Sequence, residues 1–377
     1  MTHTRFLSFF VLSLTLGLVA CSTDTSAAPE AVPPAPLSGT YRDVGPFEAG
    51  VTTLSLADRM VEVWYPVNPA DVGAMSPVPY FIRDELSDTL QSLLPDDINP
   101  PFQTAAYRDA RASGSGSFPL VIFAHGSSSY RNQSTFMTTH LASWGFVVAS
   151  VDYLERGLQS FLGAEPEPRL DDVDLTRMVV MLLASENERD GSLLNGRVST
   201  DRIAITGHSA GGGTSIRFGG EPDVITYIPL SAGISMQSTV ELPDKPSLWI
   251  AGDIDGVVSP ERTADAFAEA SAPARHIVIE DMGHLGPSDI CAIGENGGGV
   301  IAIALEAGLP IPENLVRLGT DGCQEEAIAP EDGWPTVNHF VTAQLRWAFG
   351  FDEEPIGLSQ DVADDFPEIV FAYEESL

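Results

Sequence analysis

Lysine is almost missing from this chain: Lys245 is the only one, and all basic residues together number 19 against 53 Asp and Glu, for a net charge of −34. So acidic a surface repels phosphate backbones and anionic headgroups, which excludes a nucleic-acid partner and disfavours docking on an anionic bilayer. It suits solubility in salty water, where screening weakens self-repulsion. Cysteine is scarce too, three in 377 residues. No C-x-x-C pair or nearby histidine cluster marks a metal site. Long apolar runs are missing after the first 20 residues, which excludes a polytopic membrane protein. What the chain has is a hydrophobic share of 44% against 19% charged, enough for a folded domain with a sizeable core.

The start is an address. Arg5 precedes an apolar run, Phe6–Ala20, of about fifteen residues, too short for a comfortable span and typical of a secretory signal. Leu18–Cys21 resembles a bacterial lipobox, whose cysteine carries a lipid and becomes the first mature residue. Residues 21–44, rich in Ala and Pro, then form an extended tether. The expectation is an exported domain, 45–350, attached to a bacterial membrane only through Cys21 and lying in the periplasm or outside the cell. Cys291 and Cys323 remain as an even pair in an oxidising compartment. They are expected to form a disulfide worth about 3–4 kcal/mol in the chain-entropy model.

From Val51 onward, short β-branched runs alternate with amphipathic stretches. Val51–Leu56 and Met60–Val67 predict an antiparallel hairpin. Pro119–Ala124 is apolar throughout, as a strand buried on both faces must be. Phe146–Asp152, Arg202–Thr206, Thr226–Ser231, Ser247–Ala251 and His276–Glu280 follow in the same style. Ser134–Trp144, Asp171–Ser185, Ala210–Phe218 and Ser259–Ala270 are the helical candidates between them. This order predicts an α/β fold: a mostly parallel, doubly wound sheet with helices on both faces. Its chemistry belongs at the carboxyl ends of the strands. Two segments break the alternation, 81–116, with a predicted helix at Arg83–Leu94, and 285–337, closed by the cysteine pair. Each is a lid-like insertion or a surface decoration. The acidic segment 351–377 has no base and predicts a solvated, partly ordered tail.

The chemistry concentrates at Arg202–Gly213. Gly207, Ser209 and Gly211 form G-x-S-x-G between an apolar strand and a small-residue helix start. There a serine on a strained turn presents its hydroxyl, and only glycines fit against the neighbouring strand. Ser209 is the candidate nucleophile. A serine needs a base oriented by a carboxylate. His284, just past the last predicted strand, is the candidate base. His339 opens a predicted terminal helix and reads as a packing or capping residue, and His276 falls inside a strand. Two aspartates compete for the acid, Asp253 nearer the strand end and Asp255 further into the turn, with Asp255 preferred. D-x-D-G also suggests a calcium loop, but the later ligand spacing is missing. The backbone N–H groups of Ser127, after the third strand, and Ala210 are the expected oxyanion donors, each worth about 3–4 kcal/mol of barrier. No cofactor or metal is required.

Together these residues resemble the α/β-hydrolase superfamily, and within it the bacterial predicted dienelactone hydrolases near the platelet-activating-factor acetylhydrolases. The markers are Val61–Pro66, Phe123–Gly126, Leu141–Val148, the elbow, Asp255 and His284, over roughly 45–350. Dienelactone hydrolases proper use cysteine at the elbow, where this chain has Ser209, so that activity is not carried over. The acetylhydrolases take their acid after the preceding strand, where Leu230–Gly233 offers no carboxylate. Cutinase-like polyesterases resemble the chain around Ser209 and Asp255, but the positions where they carry aromatic or Met residues and a ring-clamping tryptophan hold Ser127, Ala210 and Ala232. The resemblance implies a serine carboxylic-ester hydrolase with a small-molecule substrate, and the net charge of −34, with no basic amphipathic helix in view, favours small to medium acyl esters over long-chain lipids. A polyesterase or lipase, a serine peptidase, and a lipid-anchored binding protein without catalysis are the alternatives.

Overall fold

A computed structural model describes Met1 and residues 33–377, except 37–38, 87, 93–98, 164, 235–240, 295–298, 307, 309–310, 312 and 367–368. The expected signal segment, Cys21 and most of the tether lie outside the described residues.

Twelve strands are formed among the described residues: β1 (Glu48–Leu56), β2 (Arg59–Val67), β3 (Tyr80–Phe81), β4 (Pro101–Phe102), β5 (Ala106–Arg108), β6 (Phe118–Ala124), β7 (Val147–Val151), β8 (Val198–His208), β9 (Val224–Leu230), β10 (Ser247–Gly252), β11 (Ala274–Ile279) and β12 (Val370–Ser376). Ten of them make one sheet in the order β12-β11-β10-β9-β8-β6-β7-β2-β1-β5, and β3 pairs with β4 apart from it. The run β11-β10-β9-β8-β6-β7 is parallel throughout. The β1–β2 hairpin is antiparallel, as the short connection at Ala57–Asp58 dictates.

β6 shows why its sequence is apolar at every position. Leu120, Ile122 and Ala124 point into one core layer, with Leu175, Val179 and Leu183 of the helix Asp172–Glu188. Val121 and Phe123 point into the other, with Met137 and Leu141 of the helix Thr135–Ser143 and Phe340, Val341 and Leu345 of the helix Pro330–Phe349. A strand covered on both faces needs no polar alternation. The helix Asp172–Glu188 starts where its acids require: Asp171 caps it, accepting the N–H of Val173 at 2.8 Å, and Asp172 and Asp174 sit in the first turn.

Three expectations change. The helix predicted over Arg83–Leu94 is a 3-10 turn, Ile82–Glu85, followed by a single helical turn, Asp88–Gln91. Glu85 is drawn inside, bound by Arg131 and by Asn132 Nδ2 at 2.6 Å, and this interior anchor overrides the helical pattern. The second insertion ends earlier than 337, because the helix Pro330–Phe349 has already begun. The acidic segment after Phe351 is not a solvated tail. Asp352 pairs with buried Arg346 at 2.8 and 3.0 Å and accepts the Tyr41 hydroxyl at 2.5 Å. Beyond it β12 joins the edge of β11 in antiparallel register, with Tyr373 turned inward and its acids outward. A net charge says nothing about a backbone edge that needs partners.

Candidate active site

The elbow is built by exclusion of side chains. Ser209 joins the end of β8 to the helix Ala210–Gly219 with φ 56° and ψ −118°, a conformation that non-glycine residues rarely adopt. A Cβ on Gly211 would lie 1.9 Å from the Ala124 carbonyl oxygen, and one on Gly207 2.3 Å from the Gly211 carbonyl oxygen. Both positions must be glycine for β8, β6 and the helix to meet.

The hydroxyl so presented is 2.9 Å from His284 Nε2. His284 Nδ1 lies 2.9 and 3.1 Å from the two Asp255 oxygens. A carboxylate only accepts, so Nδ1 carries the proton and leaves Nε2 free to accept from Ser209. Asp255 is itself held by the N–H groups of Val257 and Val258, at 2.9 and 2.7 Å. Asp255 and His284 are buried, whereas Ser209 is half-exposed at the base of a cleft. The structure brings Asp255, and not Asp253, to the histidine. Asp253 remains half-buried near the end of β10, its backbone N–H bound to the Ile279 carbonyl at 3.1 Å, and burial raises its carboxyl above the ordinary range.

The loop after β6 closes the other side. A Cβ on Gly126 would meet Ser209 Cβ at 3.4 Å, so the Gly126–Ser127 turn lies against the nucleophile, and exposed Ser127 lines the cleft. Ala210 is the first residue of its helix, where backbone N–H groups have no intrahelical acceptor. Behind the turn, Arg156 donates to the carbonyls of His125 and Gly126, pairs with Asp172 at 2.9 Å and stacks on Tyr153. The Gly126 carbonyl belongs to the same peptide as the Ser127 N–H, so fixing one aims the other in the opposite direction.

Several supporting residues carry no sequence motif. Asp321, in the second insertion, accepts the backbone N–H of His284 at 2.7 Å and that of Gly256 at 3.1 Å, joining the base loop to the acid loop. Gln133 accepts the Gly126 N–H at 2.7 Å and binds His208 Nδ1 at 2.6 Å, and His208 Nε2 reaches the His284 carbonyl at 2.7 Å. Burial, with the neighbouring His284 second, pushes His208 down to about 3, so it is a neutral spacer at any working pH. Only the position of His208 inside G-x-S-x-G hinted at it. Cys291 and Cys323 are bonded, with Cα atoms 5.0 Å apart, two residues from Asp321. His339 is a packing residue, between the Tyr41 N–H and the Gly357 carbonyl, both at 2.9 Å. Among the described residues, no group of three or more His, Cys, Asp or Glu side chains is placed to hold a metal ion.

Residues 106–289 match the model of a family described as PET hydrolase-like. That span holds Ser127, Ser209, Asp255 and His284 and excludes most of both insertions. A bis(hydroxyethyl) terephthalate hydrolase of Streptomyces coelicolor is 25% identical over 181 residues, 47% of this chain and 54% of that one. Lipase 1 of a Moraxella species is 26% identical over 178 residues, 47% of this chain and 51% of that one. The chain thus spans about half the length of the curated relatives it matches. With its parallel sheet and strand-to-helix elbow, the chain has an α/β-hydrolase fold and is similar through its central half to the PET hydrolase-like family.

Proposed function

We propose that this chain is a serine carboxylic-ester hydrolase that cleaves small to medium acyl esters through an acyl-enzyme. The observation that carries the reading is the unbroken hydrogen-bonded series from Ser209 through His284 to Asp255. As Ser209 Oγ attacks the ester carbonyl, His284 Nε2 takes its proton and Asp255 stabilises the imidazolium. The oxyanion forms against the N–H groups of Ser127 and Ala210. His284 then gives the proton to the departing alcohol, and repeats the exchange with water to release the acid. The names of the relatives support ester cleavage as the class of reaction, and the lipobox-like Leu18–Cys21 supports an exported enzyme held to a membrane by lipid. A polyester chain is the second reading, favoured by the PET hydrolase-like match over residues 106–289.

The test is turnover of p-nitrophenyl esters against the matching anilides by the mature protein. Ester cleavage that exceeds amide cleavage and disappears in Ser209→Ala supports the reading. Faster amide cleavage, or full activity in Ser209→Ala, contradicts it.

A further inference from the structure

The cleft above Ser209 extends past the reacting groups, with a cavity volume of about 200 Å³, more than an acetyl group fills. Its lining is unlike the rest of the molecule. In a chain with 53 acidic residues, no Asp or Glu lines it among the described residues. Beyond Ser127, Ser209 and His284 the walls are mostly apolar, with Arg83, Asn99 and Gln133 among the polar side chains and Tyr130 and Phe161 as rings, and their aliphatic part comes from three separate places. Ile82 and Leu86 belong to the first insertion. Leu158 and Leu162 stand at a short helix, Leu158–Phe161, and its end. Val300, Ile303 and Ala304 on the helix Gly299–Glu306 face Leu315 and Leu318 on the helix Glu313–Thr320. Tyr80, Tyr130 and Ile293 bind these pieces into one apolar cluster with Ile82, Leu158, Val300 and Ile303. Tyr130 and Phe161 are rings that line the cleft, whereas Trp334 is stacked on Phe136 at 4.8 Å and does not line it.

The two helices of the second insertion form a wall stapled at its base. Cys291 lies just after the His284 loop and Cys323 just after the second helix, while Asp321 ties the same turn to the backbone of His284. The wall therefore keeps its place relative to the nucleophile. Ile82, Leu86 and every residue from Val300 to Leu318 fall outside the 106–289 span shared with the family, whereas Leu158 and Leu162 lie within it.

We propose that these insertions build an acyl-chain site, and that the preferred substrate is a monoester with a flexible, medium-length aliphatic acyl chain rather than an aromatic polyester. This deepens the serine-esterase reading and rests on it. Each methylene of such a chain leaves water for the aliphatic part of the wall, which asks for no hydrogen bond.

The experiment compares kcat/KM on p-nitrophenyl octanoate, p-nitrophenyl acetate and bis(hydroxyethyl) terephthalate for the mature protein and for Ala304→Trp and Leu318→Gln, with fluorophosphonate labelling of Ser209 run beside it. The expected octanoate-to-acetate ratio is at least tenfold, falling at least fivefold in both variants. Highest turnover on acetate or on the terephthalate ester, with Ser209 labelled, overturns the acyl-chain site and leaves the serine esterase standing. A ratio that neither variant changes overturns it as well. No turnover on any ester together with no labelling overturns both.

Discussion

At the scale of single residues, the site separates into groups that react and groups that hold them. Asp255 orients His284 through two close contacts, so Asp255→Asn is expected to lower kcat by about three orders of magnitude or more, because the amide admits the wrong imidazole tautomer. Asp253→Asn, near the end of β10 and away from His284, is expected to stay within a few-fold of the parent, and steady-state kinetics on one ester compares the two directly. Asp321 touches only backbone: the N–H groups of His284 and Gly256. Asp321→Ala is expected to lower kcat about tenfold with KM little changed, and Asp321→Asn, which keeps an acceptor oxygen, to recover most of it. Equal loss in both variants would mean that Asp321 is only structural. Sequence spacing pointed to Ser209, His284 and Asp255, since each sits beside a strand end and the chemistry needs that order. It could not point to Asp321, which approaches from an insertion 37 residues beyond His284, nor to Gln133, whose amide is legible only once the loop has folded over His208.

At the scale of elements, the elbow is held by space that no side chain occupies. Gly211→Ala would press a methyl group to 1.9 Å from the Ala124 carbonyl oxygen in β6, and backbone there cannot yield as a flexible side chain would. The expected cost is about 3 kcal/mol or more, read as a lowered urea midpoint or loss of soluble protein. An unchanged midpoint would show that the strand-to-helix junction is looser than described. The strands of the parallel run were legible because burial on both faces writes an uninterrupted apolar signature, as in Phe118–Ala124. The insertion around Arg83 was not. Its periodicity suits a helix, but burial of Glu85 beside Arg131 and Asn132 is a tertiary event with no local signal.

At the scale of the whole molecule, the two ends of the domain are pinned to one another through the helix Pro330–Phe349. His339 on that helix accepts from Tyr41 near the start and donates to Gly357 near the end, and burial pushes it down to about 4. An exposed histidine titrates near 6.5. The unfolded chain therefore takes up a proton between those values that the folded chain refuses, and up to about 3 kcal/mol of stability is lost as pH falls from about 6.5 toward 4. His339→Gln is expected to be less stable at pH 7 but to lose less on acidification over that window, measured as urea midpoints at several pH values. Parallel slopes for parent and variant would contradict the assignment. The acidic composition of 351–377 concealed this arrangement, because the pairing of Asp352 with Tyr41 and of β12 with β11 depends on partners distant in the chain. The most direct measurement of the central claim is the site of covalent attack: the mature protein is treated with a fluorophosphonate, digested, and its peptides are weighed. A single adduct on Ser209, abolished by His284→Ala, is the predicted result. An adduct elsewhere, or none on a folded protein, would contradict the account.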